Sequence, residues 1–194
     1  MTQLSDRFDR FRKKIRDPAF QENRGLSNEV GFYIFDYDPE DELYVRNEVE
    51  DIAHDSTTAS IGANVQMFNL FDVVIDLIEQ MGYLQQFIEI EKDDGIDMVI
   101  RQINNVLKMG DERNLIVSYI LDHLEHPEER NIIFITGIGQ VFPLIRAHRV
   151  LNTMNQVIDK TPVVMFYPGS YNSLSLRAFG KLDDKNYYRA FRIE

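Results

Sequence analysis

Leu4, Phe8, Phe11 and Ile15 recur at intervals of four, three and four residues. That spacing follows the turn of an α-helix and gathers the four side chains into one stripe. Arg7, Arg10, Arg12, Lys13, Lys14 and Arg16 surround it. The Asp17-Pro18 step closes the helix, because the residue before proline is pushed out of the helical region. Residues 1–24 are therefore expected to form a helical segment packed on the rest of the chain. Val30 to Phe35 (VGFYIF) is apolar and rich in β-formers, which predicts a buried strand. Asp38 can cap a helix whose first position is Pro39, and a very acidic helix to about Asp55 should follow. A second strand is expected over Ala63 to Leu70. Leu70, Val73, Val74, Leu77, Ile78 and Met81 then mark a helix that stops near Gly82. Two more helices are expected at Ile96–Lys108 and Leu115–Leu124.

The last third carries the clearest pattern. Asn131 to Thr136 (NIIFIT) reads as a buried strand, and so does Val163 to Tyr167 between Pro162 and Pro168. Between them Leu144, Ala147, Leu151, Met154 and Ile158 step at helical spacing, in a helix beginning near Pro143. Strand, helix and strand make a βαβ unit. Tyr187 to Ile193 alternates and should form an edge strand. Strands separated by helices predict an α/β fold: a single domain over 1–194, with a mostly parallel sheet and helices on both faces. Its core resembles that of a P-loop NTPase without the nucleotide-binding loop.

Charge changes the picture more than composition does. The 194 residues carry a formal net charge of −11. Up to Arg130 there are 13 basic and 28 acidic residues; from Asn131 onward there are 8 basic and 4 acidic. Such an acidic chain is a poor bulk binder of nucleic acid, whose phosphates need cations opposite them. The basic last third could still present a local docking patch. No cysteine is present, which excludes disulfides and thiolate metal sites and agrees with a cytoplasmic location. Met1 to Arg16 holds no apolar run of signal-peptide length, and no segment reaches the ~20 apolar residues that span a bilayer. No membrane association is expected.

In open α/β sheets ligands gather at the carboxyl ends of the strands. Three loops are expected there. One carries Asp36 and Asp38. One is Thr136-Gly137-Ile138-Gly139, with Arg146 in the first turns of the following helix. One is Pro168-Gly169-Ser170-Tyr171. Glycines allow tight turns and free amides attract anions, so these residues are candidate binding positions. The complete motifs are absent. Gly137-Ile138-Gly139 lacks the third glycine of a dinucleotide fingerprint, no Gly-x-x-x-x-Gly-Lys-Ser/Thr occurs, and no Gly-x-Ser-x-Gly elbow exists. His123-x-x-His126 beside Glu125 and Glu128 has a loosely metal-like spacing, and Asp36 with Asp38 could hold Mg²⁺, but neither pattern is specific. No catalytic residue, metal or cofactor is expected.

Four blocks resemble one known family. They are IFITGIGQVFPLIRAHRVLN (Ile133–Asn152), PVVMFYPGSYNSLSLRAFG (Pro162–Gly180), NYYRAFRI (Asn186–Ile193) and FDYDPEDEL (Phe35–Leu43). Together they are similar to the BrxB family, the small component of bacterial BREX phage-defence systems. Ala178 departs from the pattern, where a larger aliphatic residue is expected. The resemblance implies a role in stopping phage, among proteins that include an adenine methyltransferase, large ATPases and the alkaline-phosphatase-like PglZ. It brings no established chemistry. The recurring positions it implies are Thr136, Gly137, Gly139, Pro143, Arg146, Pro168, Gly169, Tyr171, Tyr187, Tyr188 and Arg189, as binding or fold-defining residues.

The expected function is a non-catalytic adaptor that docks other BREX proteins, chiefly the PglZ-like component, with DNA contact only within the complex. The alternative is a degenerate phosphate-handling enzyme, dependent on nucleotide or metal, using Asp36, Asp38 and Arg146. Phosphate chemistry needs a preorganised amide or lysine cradle, which this sequence lacks.

Overall fold

A computed structural model describes residues 2–23, 31–111, 113–171, 176–178, 182–184 and 190–194. The chain divides into two compact units: Met1–Met67, Glu125–Thr136 and Ile158–Glu194 form the first, Phe68–Leu124 and Gly137–Val157 the second.

The first unit holds the sheet. Helix α1 (Thr2–Lys14) and the short α2 (Pro18–Gln21) precede β1 (Phe32–Tyr37). A 3₁₀ turn over Pro39–Asp41 leads into α3 (Glu42–Asp55), followed by α4 (Thr58–Ile61) and β2 (Asn64–Asn69). After the chain returns, β3 (Asn131–Thr136) and β4 (Val163–Tyr171) complete the centre. Strands β5 (Leu176–Ala178), β6 (Leu182–Asp184) and β7 (Phe191–Arg192) come last. Among the described residues five strands run parallel in the order β2-β3-β4-β1-β7. In register, Phe32 and Ile133 both lie beside Val163, which brings the carboxyl ends of β1, β3 and β4 to one edge.

Every residue of β1 is buried, so the strand shows no polar alternation. This is the pattern of a strand covered on both faces. On one face Tyr33, Phe35, Val164, Phe166, Ile132 and Phe134 meet Phe8 and Phe11 of α1, Ile15 just after it, and Val45, Val49 and Ile52 of α3. The Phe11 ring lies 5.7 Å from Phe35, 5.6 Å from Phe134 and 5.8 Å from Phe166. One side chain of the first helix thus ties three strands together, and burial of such a ring contributes about 1.5–3 kcal/mol.

Two strands run further than the sequence pattern implies. β1 continues through Asp36 and Tyr37, so Asp36 is a strand residue and not a loop residue. β4 continues through Pro168 to Tyr171, so the expected third loop is itself strand. Gly169, Ser170 and Tyr171 pair antiparallel with Ala178, Arg177 and Leu176. Pro168 stands where β4 exchanges its parallel neighbours for this hairpin, a position at which a missing N–H is tolerated.

The second unit is helical: α5 (Leu70–Gln80), α6 (Leu84–Asp94), α7 (Ile96–Val106), α8 (Leu115–Asp122), α9 (Ile138–Val141) and α10 (Ala147–Val157). The helix expected from Pro143 begins at Ala147, because Phe142-Pro143 and the residues after it form a turn. Asn114, fully buried, organises this unit. Its Oδ1 accepts from the Val117 N–H at 3.0 Å and caps α8, while its Nδ2 donates to Thr153 Oγ1 of α10 at 2.8 Å.

Candidate functional site

Asp36 is only 2% exposed, and a carboxylate so far from water must be compensated by charge and hydrogen bonds. Arg7 of α1 donates from Nη2 to Asp36 Oδ1 at 3.0 Å, and Arg192 of β7 donates from Nε to the same oxygen at 2.9 Å. The Tyr171 N–H of β4 donates to Oδ2 at 3.0 Å. Arg7 is spent as well: Nη1 donates to the Asp36 carbonyl at 2.7 Å and Nη2 to the Ile193 carbonyl at 2.9 Å. Its guanidinium lies over the Phe35 ring, 4.4 Å from the centroid, a favourable cation–π contact. Burial pulls Arg7 below its ordinary value and the Asp36 charge opposes that, so the guanidinium stays cationic. Four segments distant in sequence are fastened through one carboxylate.

Beside this hub opens a cleft of about 480 Å³. Helix α1 contributes Gln3, Leu4, Arg7 and Arg10 to it. The end of β1 and the following turn contribute Tyr37, Asp38 and Asp41, and the last segment contributes Arg192 and Glu194. Arg10 Nε donates to the main-chain oxygen of Glu194 at 3.3 Å. The Tyr37 hydroxyl donates to Glu42 Oε2 at 2.5 Å; burial raises the phenol's pKa first, and the bond to Glu42 adds to it. Asp38 caps the 3₁₀ turn by accepting from the Glu40 N–H at 3.4 Å, as its sequence context predicts. Small-molecule and cofactor sites are lined mostly by apolar and aromatic groups. This cleft is lined by opposed charges, suited to engaging charged side chains.

The remaining predicted residues divide. Pro168 and Gly169 lie in β4, as does Tyr171, which is buried and donates its hydroxyl to the Ala190 carbonyl at 2.8 Å. Thr136 ends β3. Gly137 and Gly139 stand where the chain re-enters the second unit; Gly137 adopts φ +72° at the start of the four-residue α9 and Gly139 lies within that turn. A Cβ on Gly137 would run into the Asn69 side chain, so glycine is required for both conformation and space. Arg146 is exposed and precedes α10, its guanidinium 5.3 Å from the Phe142 ring centroid. Tyr187, Tyr188 and Arg189 lie outside the described residues.

The histidine pattern resolves differently from its spacing. His123 stacks on Tyr119 with centroids 3.9 Å apart. Ligand atoms of His126, Glu128 and Glu129 fall within 4.8 Å of one another, all exposed. Glu129 is already engaged by Thr58 and Asn64, whose hydrogen bonds hold its carboxyl below the usual range.

Sequence reasoning missed Arg7, Arg10 and Arg192 as site residues. A signal for Arg7 existed: it stands three residues after Leu4 and four before Phe11, on the apolar stripe itself. An arginine at a core-facing position implies a buried carboxylate partner.

Comparison with known proteins agrees with the sequence blocks. A family model described as "BREX protein BrxB" matches residues 66–193. A "BREX protein BrxB" from Bacillus cereus (strain H3081.97) is 40% identical over 197 residues, spanning 100% of this chain and 98% of the relative. A second, from Escherichia coli O9:H4 (strain HS), is 28% identical over 194 residues, spanning 98% of this chain and 91% of the relative. No solved structure matches.

Proposed function

Because the chain belongs to the BrxB family of BREX phage-defence systems, we propose that it is a non-catalytic docking subunit that binds other BREX proteins, the PglZ-like component foremost. One observation carries this reading. Asp36, the carboxylate near the end of the interior strand β1, has Oδ1 held by two guanidinium groups and Oδ2 by a backbone N–H. A metal or phosphate centre at this edge would need that carboxylate free, and freeing it would strand Arg7 in a largely buried position. What faces solvent beside it is a charged cleft, which suits recognition of another macromolecule. DNA would be met within the complex, since the acidic chain repels phosphate. Its place of action would be the cytoplasm. No helix among the described residues is long and apolar enough to cross a membrane.

The test is co-purification. The tagged chain, co-expressed with each protein of its BREX system in turn, should retain the PglZ-like component through washing. Recovery of no BREX protein would remove the proposal. Calorimetric titration of the isolated chain with ATP and Mg²⁺ should give no binding heat; a saturable isotherm would favour a phosphate-handling enzyme instead.

A further inference from the structure

The cleft sets an acidic turn against arginines from other elements. Its cations arrive on α1 (Arg7 and Arg10) and on β7 (Arg192); of its acids, Asp38 and Asp41 arrive on the turn after β1 and Glu194 follows β7. Arg7 commits both Nη groups, to Asp36 and to the Ile193 carbonyl. Arg10 and Arg192 each commit only Nε, to the main-chain oxygen of Glu194 and to Asp36. Their Nη groups make no hydrogen bond to the described residues, and a guanidinium offers these donors as a planar fork that matches a carboxylate. Among the described residues none donates to the Asp41 carboxylate, and the Asp38 carboxylate accepts only the long bond from the Glu40 N–H. The cleft therefore keeps both spare donors and spare acceptors. An inorganic or nucleic-acid phosphate would satisfy the arginines but would be repelled by Asp38 and Asp41, and a simple cation would meet the reverse conflict. A ligand that satisfies both sets carries both charges. The volume of about 480 Å³ admits a few side chains.

We propose that this cleft receives a short segment of a partner protein bearing one carboxylate and one cationic side chain, the carboxylate on Arg10 and Arg192, the cation on Asp38 and Asp41. This rests on the docking role argued above and names the chemistry of the docked segment. Paired charges of this kind set orientation and partner choice more than bulk affinity.

The tagged full-length chain, co-expressed with the BREX proteins it captures, tests this with Arg10→Glu, Asp41→Lys and Gln3→Trp. The first two reverse one charge each outside the Asp36 hub, and the third fills the cleft without changing charge. Each should lower partner recovery by about ten-fold or more with the melting temperature unchanged, while Arg10→Lys keeps most of it. Full recovery by all three altered chains would overturn the cleft proposal and leave the docking role standing. Capture of nothing by the unaltered chain would remove both. Capture of duplex DNA by the unaltered chain, lost in Arg10→Glu and strengthened in Asp41→Lys, would identify a phosphate site and overturn the dipolar segment.

Discussion

Arg7 reaches Asp36 across 29 positions of sequence, gripping both its carboxylate, at 3.0 Å, and its carbonyl, at 2.7 Å. The pair joins α1 to β1 where neither residue has much water. Asp36→Asn removes the only negative charge at the hub's centre and leaves Arg7 and Arg192 facing each other. We expect a loss of about 3–5 kcal/mol, the range for breaking a buried ion pair. Arg7→Ala should cost less, since Asp36 keeps Arg192 and the Tyr171 N–H. Arg192→Ala should cost least, its side chain being 44% exposed. Urea midpoints give this order, and Arg192→Ala exceeding Asp36→Asn would refute the hub.

Gly137→Ala tests the turn at which the chain re-enters the second unit. The substitution meets a positive φ and the Asn69 side chain together. Asn69 caps α5 by accepting from the Phe71 N–H at 2.9 Å and donates to Gln140 at 2.8 Å. Displacing it adds a lost cap to the backbone strain, so a loss of about 2 kcal/mol is expected. Asn69→Ala alone should cost about 1 kcal/mol. Equal costs in thermal melts would mean that the backbone conformation contributes nothing.

Asn114→Ala should destabilise the second unit by about 2 kcal/mol. It removes the α8 cap and leaves the buried Val117 N–H without its acceptor. Hydrogen exchange should then show faster opening of α8 and α10 first. Uniform acceleration across both units would contradict a local role.

Stability should fall in alkali. Tyr37 is raised by burial and by Glu42, and Tyr33 is raised by burial. Above about pH 10, the ordinary tyrosine value, the unfolded chain releases these protons while the folded chain keeps them. The folded state then binds more protons, and the slope of unfolding free energy with pH is negative. The stabilisation is complete below that pH and is lost as pH rises toward the folded values. Tyr37→Phe should flatten the fall measured by urea midpoints between neutral and alkaline pH; an unchanged slope would contradict the Tyr37–Glu42 bond.

Local pattern made several elements legible. Phe8, Phe11 and Ile15 lie buried on one helical face, as their spacing implies, and Asp38 with Pro39 opens a helical segment. The α6 helix escaped notice because only Phe87 among its residues is buried, too thin a seam to register as a period. The strand ends were misjudged for a different reason. Asp36 and Pro168 look like strand breakers in sequence, and each is accommodated by something remote: Asp36 by Arg7 and Arg192, Pro168 by a change of strand partner. Of the candidate site, Asp36 and Asp38 were visible as acids near a strand end, while their arginine neighbours looked like solvated helix flanks.

The amino-acid order alone determined the periodicities, the buried-type strands, the missing phosphate motifs and the family blocks, because each is a property of adjacent or regularly spaced residues. Only the tertiary structure decided that Asp36 is closed by Arg7, Arg192 and the Tyr171 amide, and that the open charges lie beside it in a cleft. Those contacts join segments from both ends of the chain. No local rule selects, among 21 basic residues, the two that the parallel sheet and the docked first helix bring to one buried carboxylate.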